Sequence, residues 1–221
     1  MINQTLLIQS LPKLFVGFLL SLKISSFAFL IGITGGTCLA LCLLSKNIML
    51  SFFANTYVLI FRGTPMIIQI FILFFLFQSL AIHINPIYSV IFAIGANSAA
   101  YMSQIIKAGI QSVAIGEIEA ARTLGLNAYQ INRHIIFPQA VKTIFPALGN
   151  ECITLLKDSS LGHIVGVSEL TYQGSIIIGH TYDAITIYTG VGLFYLLGTS
   201  LLALFFYFYE RKLNEIRYKE Y

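Results

Sequence analysis

Charge is scarce in this chain. Asp, Glu, Lys and Arg make up 10% of its 221 residues and hydrophobic residues 57%, against roughly 25% charged and 45–50% apolar in ordinary soluble domains. That scarcity excludes a soluble globular protein and describes an integral membrane protein. The length leaves room for several spans of about 20 residues each, but not for an added soluble domain of typical size. One all-α membrane domain covering residues 1–221 is the simplest organisation.

Reactive chemistry is as sparse as charge. Cys38, Cys42 and Cys152 are odd in number, sit in apolar surroundings and have no His or carboxylate at metal-ligand spacing, so they read as packing residues. His83, His134, His163 and His180 are dispersed, mostly at span ends, and read as interfacial polar residues rather than ligands. Ser159 and Ser160 have no base to activate them. No Gly-x-x-x-x-Gly-Lys-Ser/Thr phosphate loop occurs, so the sequence offers no such nucleotide site of its own. The formal net charge of +4 is scattered at the ends of oily runs rather than clustered with aromatics, which argues against nucleic acid. The inverted repeat that marks many secondary transporters is also missing.

What is present is a series of apolar runs. Lys13 and Lys23 bracket a stretch that imitates a secretory signal, but the oily region continues without a small-residue cleavage site, which makes it a retained first span. Residues 24–44 hold 21 positions without a charge, enough to cross a core of about 30 Å. Residues 48–61 form an apolar run broken by Arg62-Gly63-Thr64-Pro65, read as an interfacial elbow, with a second span over 65–82. A third span covers 87–106, a weaker fourth covers 139–156 with Glu151 inside it, and a fifth covers 184–209. Gly32 and Gly36, and Gly95, Ala99 and Ser103, recur at four-residue spacing; they serve internal helix packing or a dimer seam.

Basic residues set the orientation. Under five spans Lys46, Arg62, Lys107, Arg122, Arg133, Lys142, Arg211, Lys212, Arg217 and Lys219 fall on one side, only Lys13 and Lys23 oppose them, and connections 78–86 and 162–183 hold none. Lys and Arg near span ends stay in the cytoplasm. The N-terminus is therefore expected outside, the C-terminus inside, and the polar segment over about 112–138 in the cytoplasm. That segment reads as two short helices. Glu117 and Glu119 fall in the first turn of one, Arg122 near its end, and Gly125 at its stop. Asn127 and Gln130 cap a second, which runs from Ala128 towards Phe137 and ends at Pro138, itself opening the fourth span. The pair would make a stiff projection suited to docking. A lipid-surface helix is the alternative, which the two glutamates oppose.

Glu119-Ala120-Ala121, then Gly125, Ile135 and Pro138 at their spacing, resemble the EAA loop of bacterial ABC importer permeases, with Phe137 standing where Leu is usual. Residues 61–65, 97–101, 108–112, 138–140 and 146–161, followed by Gly166-Val167 and Glu169-Leu170, resemble the polar amino acid uptake branch, the histidine and glutamine permeases. The likeness runs through nearly the whole chain in the family's order. It departs at Gln104, where Glu is usual, and at Lys107, where Arg is usual, and the first departure weakens any inference of a cationic substrate.

The resemblance implies a type I ABC importer permease fold with five spans. It makes the first short helix a coupling helix seated in a groove of an ATP-binding subunit, with Glu119, Ala120, Ala121 and Gly125 carrying the contact and Ile135 and Pro138 completing the motif. It implies two copies of that ATPase, which would use ATP and Mg, a second permease copy or a sister permease, and an external substrate-binding protein. The chain itself would bind no cofactor, perform no chemistry and sit in the bacterial cytoplasmic membrane.

A charge inside a bilayer costs at least about 2.5 kcal/mol, so it faces a wet cavity or a partner. Glu151, Lys157 and Asp158 are the candidates. With Asn97, Tyr101 and Gln104 on the third span they would line a path for a zwitterion, carboxylate towards Lys157 and ammonium towards an acid. The competing reading has Lys157 and Asp158 capping the fourth span and Glu151 pairing with a neighbouring helix. Arg62 reads as an anchor or gate beside a cytoplasmic turn. The expected function is the permease subunit of an importer for a polar amino acid such as glutamine or histidine. An ion-coupled secondary transporter and a non-transporting membrane scaffold are the rivals.

Overall fold

A computed structural model describes residues 2–82 and 84–219, with side chains through Lys212. His83 and the side chains of Arg217 and Lys219, which entered the readings above, lie outside the described residues. No strand occurs among the described residues, and nine α-helices follow one another. They are α1 (Gln4–Leu44), α2 (Ile48–Gly63), α3 (Met66–Ser79), α4 (Pro86–Gln111), α5 (Ile115–Thr123), α6 (Ala128–Ile131), α7 (Phe137–Asp158), α8 (Leu170–Thr181) and α9 (Ala184–Lys219). A π-helical turn at Asn132–Ile136 joins α6 to α7, and a 3₁₀ stretch at Ser159–Val165 follows α7.

Several helix starts are set by local chemistry. Asn3, Asn47 and Asn85 each accept a backbone N–H from the first turn of α1, α2 and α4, and Pro86 opens α4, where its missing N–H costs nothing. α1 begins 20 residues before the apolar run expected to be the first span. Lys13 and Lys23 interrupt hydropathy but are good helix formers, so the helix runs through them with both side chains exposed. At 41 residues α1 is about 60 Å long, roughly twice a hydrocarbon core.

α4 is the axis of the bundle and packs on α1, α7, α3 and α2. The α1–α4 seam explains the small-residue spacing. A methyl group at Gly36 would lie 2.8 Å from Met102 Cβ, and one at Gly95 would lie 2.8 Å from Ile31 Cβ. Both helix backbones thus approach too closely for any larger residue, and packing inside the chain accounts for the pattern. Ile24, Ala28, Ile70, Val90, Ile94, Met102 and Leu155 fill the core around this seam. A second cluster, Leu14, Phe18, Leu156, Leu170, Ile187 and Val191, holds α8 and α9 against the first half of α1.

The contacts also give directions. Gly32 meets Ser98 and Gly36 meets Met102, so α1 and α4 run parallel; Gly109 meets Ile144 while Ser98 meets Glu151, so α7 runs against α4. Gly190 and Gly198 meet Leu14 and Phe18, which sets α9 parallel to α1. α5 and α6 consequently sit at one end of the bundle, here the loop end, and α8 lies towards the other. By length and apolarity α1, α4 and α9 suffice to cross a membrane, and α2 with α3 makes a fourth crossing if their 107° bend is one broken span. α7 has the length, 22 residues, but Lys142, Glu151, Lys157 and Asp158 keep it from that set.

Candidate docking loop and translocation path

The loop end is built from caps. In α5 Glu117 occupies the first turn and Arg122 the last, complementing the helix dipole. Glu119 falls one turn further in than the sequence suggested, because the helix starts at Ile115. Gly125, at φ +78°, ends α5: its N–H donates to Arg122 O and the N–H of Leu126 donates to Ala121 O, the paired bonds of a Schellman motif. Asn127 then opens α6, accepting from the Gln130 N–H at 3.0 Å while the Gln130 side chain accepts from the Asn127 N–H at 2.9 Å. Glu119 and Ala120 are exposed, whereas Ala121 is 3% exposed. Leu124, at 81%, stands out from the same turn.

Pro138 does not end the second helix as expected. α6, the π-turn and α7 form one continuous rod in which the Phe137 N–H donates to Asn132 O, five residues back. The wider turn absorbs the missing proline N–H without a break. Ile135 is half-buried and Pro138 exposed on this rod. The Gln139 amide donates to the Glu117 carboxylate, tying the start of α7 to the first turn of α5.

The path candidates surround the middle of α4. Asn97, 7% exposed, donates from Nδ2 to Phe61 O at 2.9 Å and to Gln69 Oε1 at 3.0 Å. Gln69 donates in turn to Phe61 O, Thr64 O and Thr64 Oγ1. The carbonyls of Phe61 and Thr64, freed where α2 breaks before Pro65, thereby find side-chain partners. Tyr57 adds a bond from its hydroxyl to Ala96 O at 2.8 Å. The elbow expected at the interface is therefore pinned halfway along α4, and Arg62 lies at that depth, its guanidinium carbon 5.1 Å from the centre of the Tyr101 ring. Hydropathy alone cannot set the depth of a break; these side-chain bonds do.

One helical position round from Asn97, Ser98 donates to Glu151 Oε1 of α7 at 2.7 Å. Gln104 is half-buried one turn below Tyr101. Lys157 is exposed and Asp158 half-buried, six and seven residues beyond Glu151, which is about 9–10 Å further from the loop end. The structure thus brings Asn97, Tyr101 and Glu151 to one level of the bundle and sets Lys157 and Asp158 apart from them.

A family model described as the inner membrane component of binding-protein-dependent transport systems matches residues 28–215. The chain belongs to this family. It is an inner-membrane, multi-pass permease of the ABC importer class. A Rickettsia conorii protein named for glutamine transport, GlnP, is 40% identical over 181 residues, covering 80% of this chain and 83% of that one. The nopaline transport system permease protein NocM of Agrobacterium fabrum is 35% identical over 208 residues, covering 90% and 86%. A crystal structure of an amino acid ABC transporter with histidines superposes with a TM-score of 0.90 at 32% identity, covering 96% of this permease and 99% of that chain.

Two polar residues of the permease were missed as site elements by sequence reasoning. Gln69 carried a weak signal, a polar side chain four residues after Pro65 in an otherwise oily helix. Glu169, fully buried, accepts from the N–H groups of Thr171 and Tyr172 at 2.9 Å, from Tyr195 Oη at 3.0 Å and from Ser21 Oγ at 3.3 Å. It caps α8 and ties α1 to α9. Glutamate is not a favoured capping residue, so nothing local announced that role.

Proposed function

We propose that this permease carries a polar amino acid inward, powered by ATP hydrolysis in a separate subunit that docks on α5. Relatives named for glutamine and nopaline transport, and a structural neighbour named with histidines, support an amino acid substrate. The assembly consists of two ATPase copies, a second permease, identical or sister, and an external binding protein that delivers substrate. ATP and Mg are handled by the ATPase; this chain contributes no catalysis. Five spans, the fourth being α7, put α5 and the C-terminus in the cytoplasm and the N-terminus outside.

The observation that carries the reading is mechanical. α5 presents Glu119 and Ala120 outward on a helix closed by Gly125, and it is bonded through Glu117 to Gln139 on a rod that continues unbroken to Asp158. A push on α5 from a closing ATPase pair moves α7, and α7 carries Glu151 against Ser98. The charges of the path, Glu151, Lys157 and Asp158, all ride on the helix that receives the push, while Asn97, Tyr101 and Gln104 ride on α4. Transport and nucleotide turnover are linked through that one helix.

Gly125→Asp tests docking. A side chain at Gly125 meets nothing of this chain within 4 Å, so it does not clash with the bundle, while at φ +78° it strains the turn that closes α5. In a reconstituted complex it should reduce ATP-dependent uptake to background while membrane insertion stays normal. Uptake at the native rate would remove the docking role.

A further inference from the structure

Ser89 breaks a habit of this chain. Hydroxyls in its oily helices fold back on their own backbone: Ser10, Ser26, Thr34 and Thr37 of α1 each donate to the carbonyl four residues before. Ser89, in α4, is 1% exposed, and its Oγ has no hydrogen-bond partner among the described residues. A buried hydroxyl is costly to leave unpaired. This one borders a cavity of about 480 Å³ whose walls are Phe74, Phe77 and Gln78 of α3, Ile82 of the connection, and Pro86 and Ser89 of α4. That volume falls in the range of about 300–1,000 Å³ typical of small-molecule sites.

Local bonds fix the rims of the cavity. α3 ends in a Schellman motif with Ala81, at φ 54°, in the place glycine usually takes: the Ala81 N–H donates to Gln78 O at 3.0 Å and the Ile82 N–H to Phe77 O at 2.9 Å. Ile82 is thereby folded back over the end of α3. Across the gap, Asn85 and Pro86 set the start of α4.

Depth decides what fits. α3 and α4 run antiparallel, because Gln69 bonds to Asn97 while the cavity brings Phe77 and Ser89 to one level. Asn97 lies near the midpoint of the 26-residue α4, so Ser89 is about 12 Å from the centre of the bundle, away from the loop end. Half a hydrocarbon core is about 15 Å. Ser89 therefore sits close to where acyl chains meet their ester groups, with Phe74 about 4–5 Å deeper and Gln78 at the outer rim. Phe75 and Leu76 of α3 and Tyr88 and Phe92 of α4 are exposed beside the cavity, an apolar surface of the kind that meets lipid.

We propose that this cavity binds one phospholipid of the leaflet opposite α5, with an acyl chain along Phe74 and Phe77 and an ester carbonyl accepting from Ser89 Oγ. A lipid joins an acceptor at the depth of the hydroxyl to an apolar chain that reaches the aromatic wall. An amino acid does not suit the site, since none of the described lining residues carries a charge to pair with its own. Bound there, the lipid fills the gap between α3 and α4 beyond the Gln69–Asn97 bond.

The sequence has no Trp, so Phe75→Trp, next to the deep wall but not part of the lining, gives the permease a single reporter. Its fluorescence in the detergent-purified complex of permease and ATPase is taken as the difference from the same complex without it. The complex is titrated with phosphatidylglycerol carrying brominated acyl chains, which quench indole at close range. Quenching should saturate at one lipid per permease. The ether-linked analogue, which keeps the chains but has no ester carbonyl, should bind about fivefold more weakly. Ser89→Ala should weaken binding of the ester lipid by about the same factor and leave ester and ether lipids equal. Quenching that never saturates, or none at all because water or a second permease fills the cavity, overturns the proposal. So does equal native affinity for ester and ether lipids, or a Ser89→Ala complex that still prefers the ester. Should Ser89→Ala fail to assemble, the native comparison of the two lipids decides alone.

Discussion

At the scale of single residues, the polar groups of this chain are few and nearly all of those inside the bundle are committed. Glu169 shows why. Its two oxygens accept two backbone N–H groups and two hydroxyls, an all-donor shell that suits a carboxylate and nothing with an N–H of its own. Glu169→Gln must turn an amide N–H towards one of those donors whichever way it is flipped. A buried mismatch of that kind costs about 1–3 kcal/mol. Thermal denaturation in detergent should show Glu169→Gln less stable than the native permease, with Glu169→Ala worse still because Thr171, Tyr172, Tyr195 and Ser21 all lose their acceptor. Equal melting temperatures would mean that water enters this network. Asn97 follows the same logic, with membrane-bundle hydrogen bonds averaging only about 0.6 kcal/mol each; its two bonds hold the α2–α3 break against α4.

At the scale of elements, the chain is built as a long rod, α6 through α7, with the short helix α5 tied to its start. Gln139 on α7 and Glu117 on α5 form the side-chain link between them, and Ser112 Oγ lies 3.5 Å from Thr143 Oγ1 nearby, between the end of α4 and α7. If α5 transmits force through this link, Gln139→Leu should leave the ATPase bound, since Gln139 is not on the helix proposed to dock, yet lower uptake per ATP hydrolysed severalfold in proteoliposomes. An unchanged ratio would show that the backbone through Gly125 and Asn127 transmits force unaided. The caps of this lever were legible in the sequence because they are local: Gly125 as a left-handed stop and Asn127 with Gln130 as a reciprocal cap need no knowledge of the rest of the fold. The continuity through Pro138 was not legible, since a π-turn is a compromise between a missing N–H and the packing of a whole rod. The start of α1 was hidden for the converse reason: hydropathy sees Lys13 and Lys23, whereas helix propensity ignores them. The depth of the α2–α3 break was hidden because residues far apart in sequence, Phe61, Gln69 and Asn97, fix it together.

At the scale of the whole molecule, the distribution of charge supports the proposed orientation in the membrane. Moving Arg62 to the middle of the bundle removes it from the tally of flanking cations. Lys46, Lys107, Arg122, Arg133, Lys142, Arg211 and Lys212 still gather towards the loop end, against Lys13 and Lys23 on α1. Cations bordering short connections hold their side of the membrane in the cytoplasm, which supports the proposed orientation, α5 inward and α8 outward; α1, α4 and α9, parallel by their contacts, would then all run inward. Single cysteines on a background with Cys38, Cys42 and Cys152 replaced by alanine would settle it. Gly116 in α5 and Gly179 in α8 are suitable sites, because a side chain at either meets nothing within 4 Å. A membrane-impermeant maleimide should label Gly179→Cys in spheroplasts and Gly116→Cys only in inverted vesicles. The opposite pattern would place α5 where no cytoplasmic ATPase can reach it, and the lever would have nothing to push it.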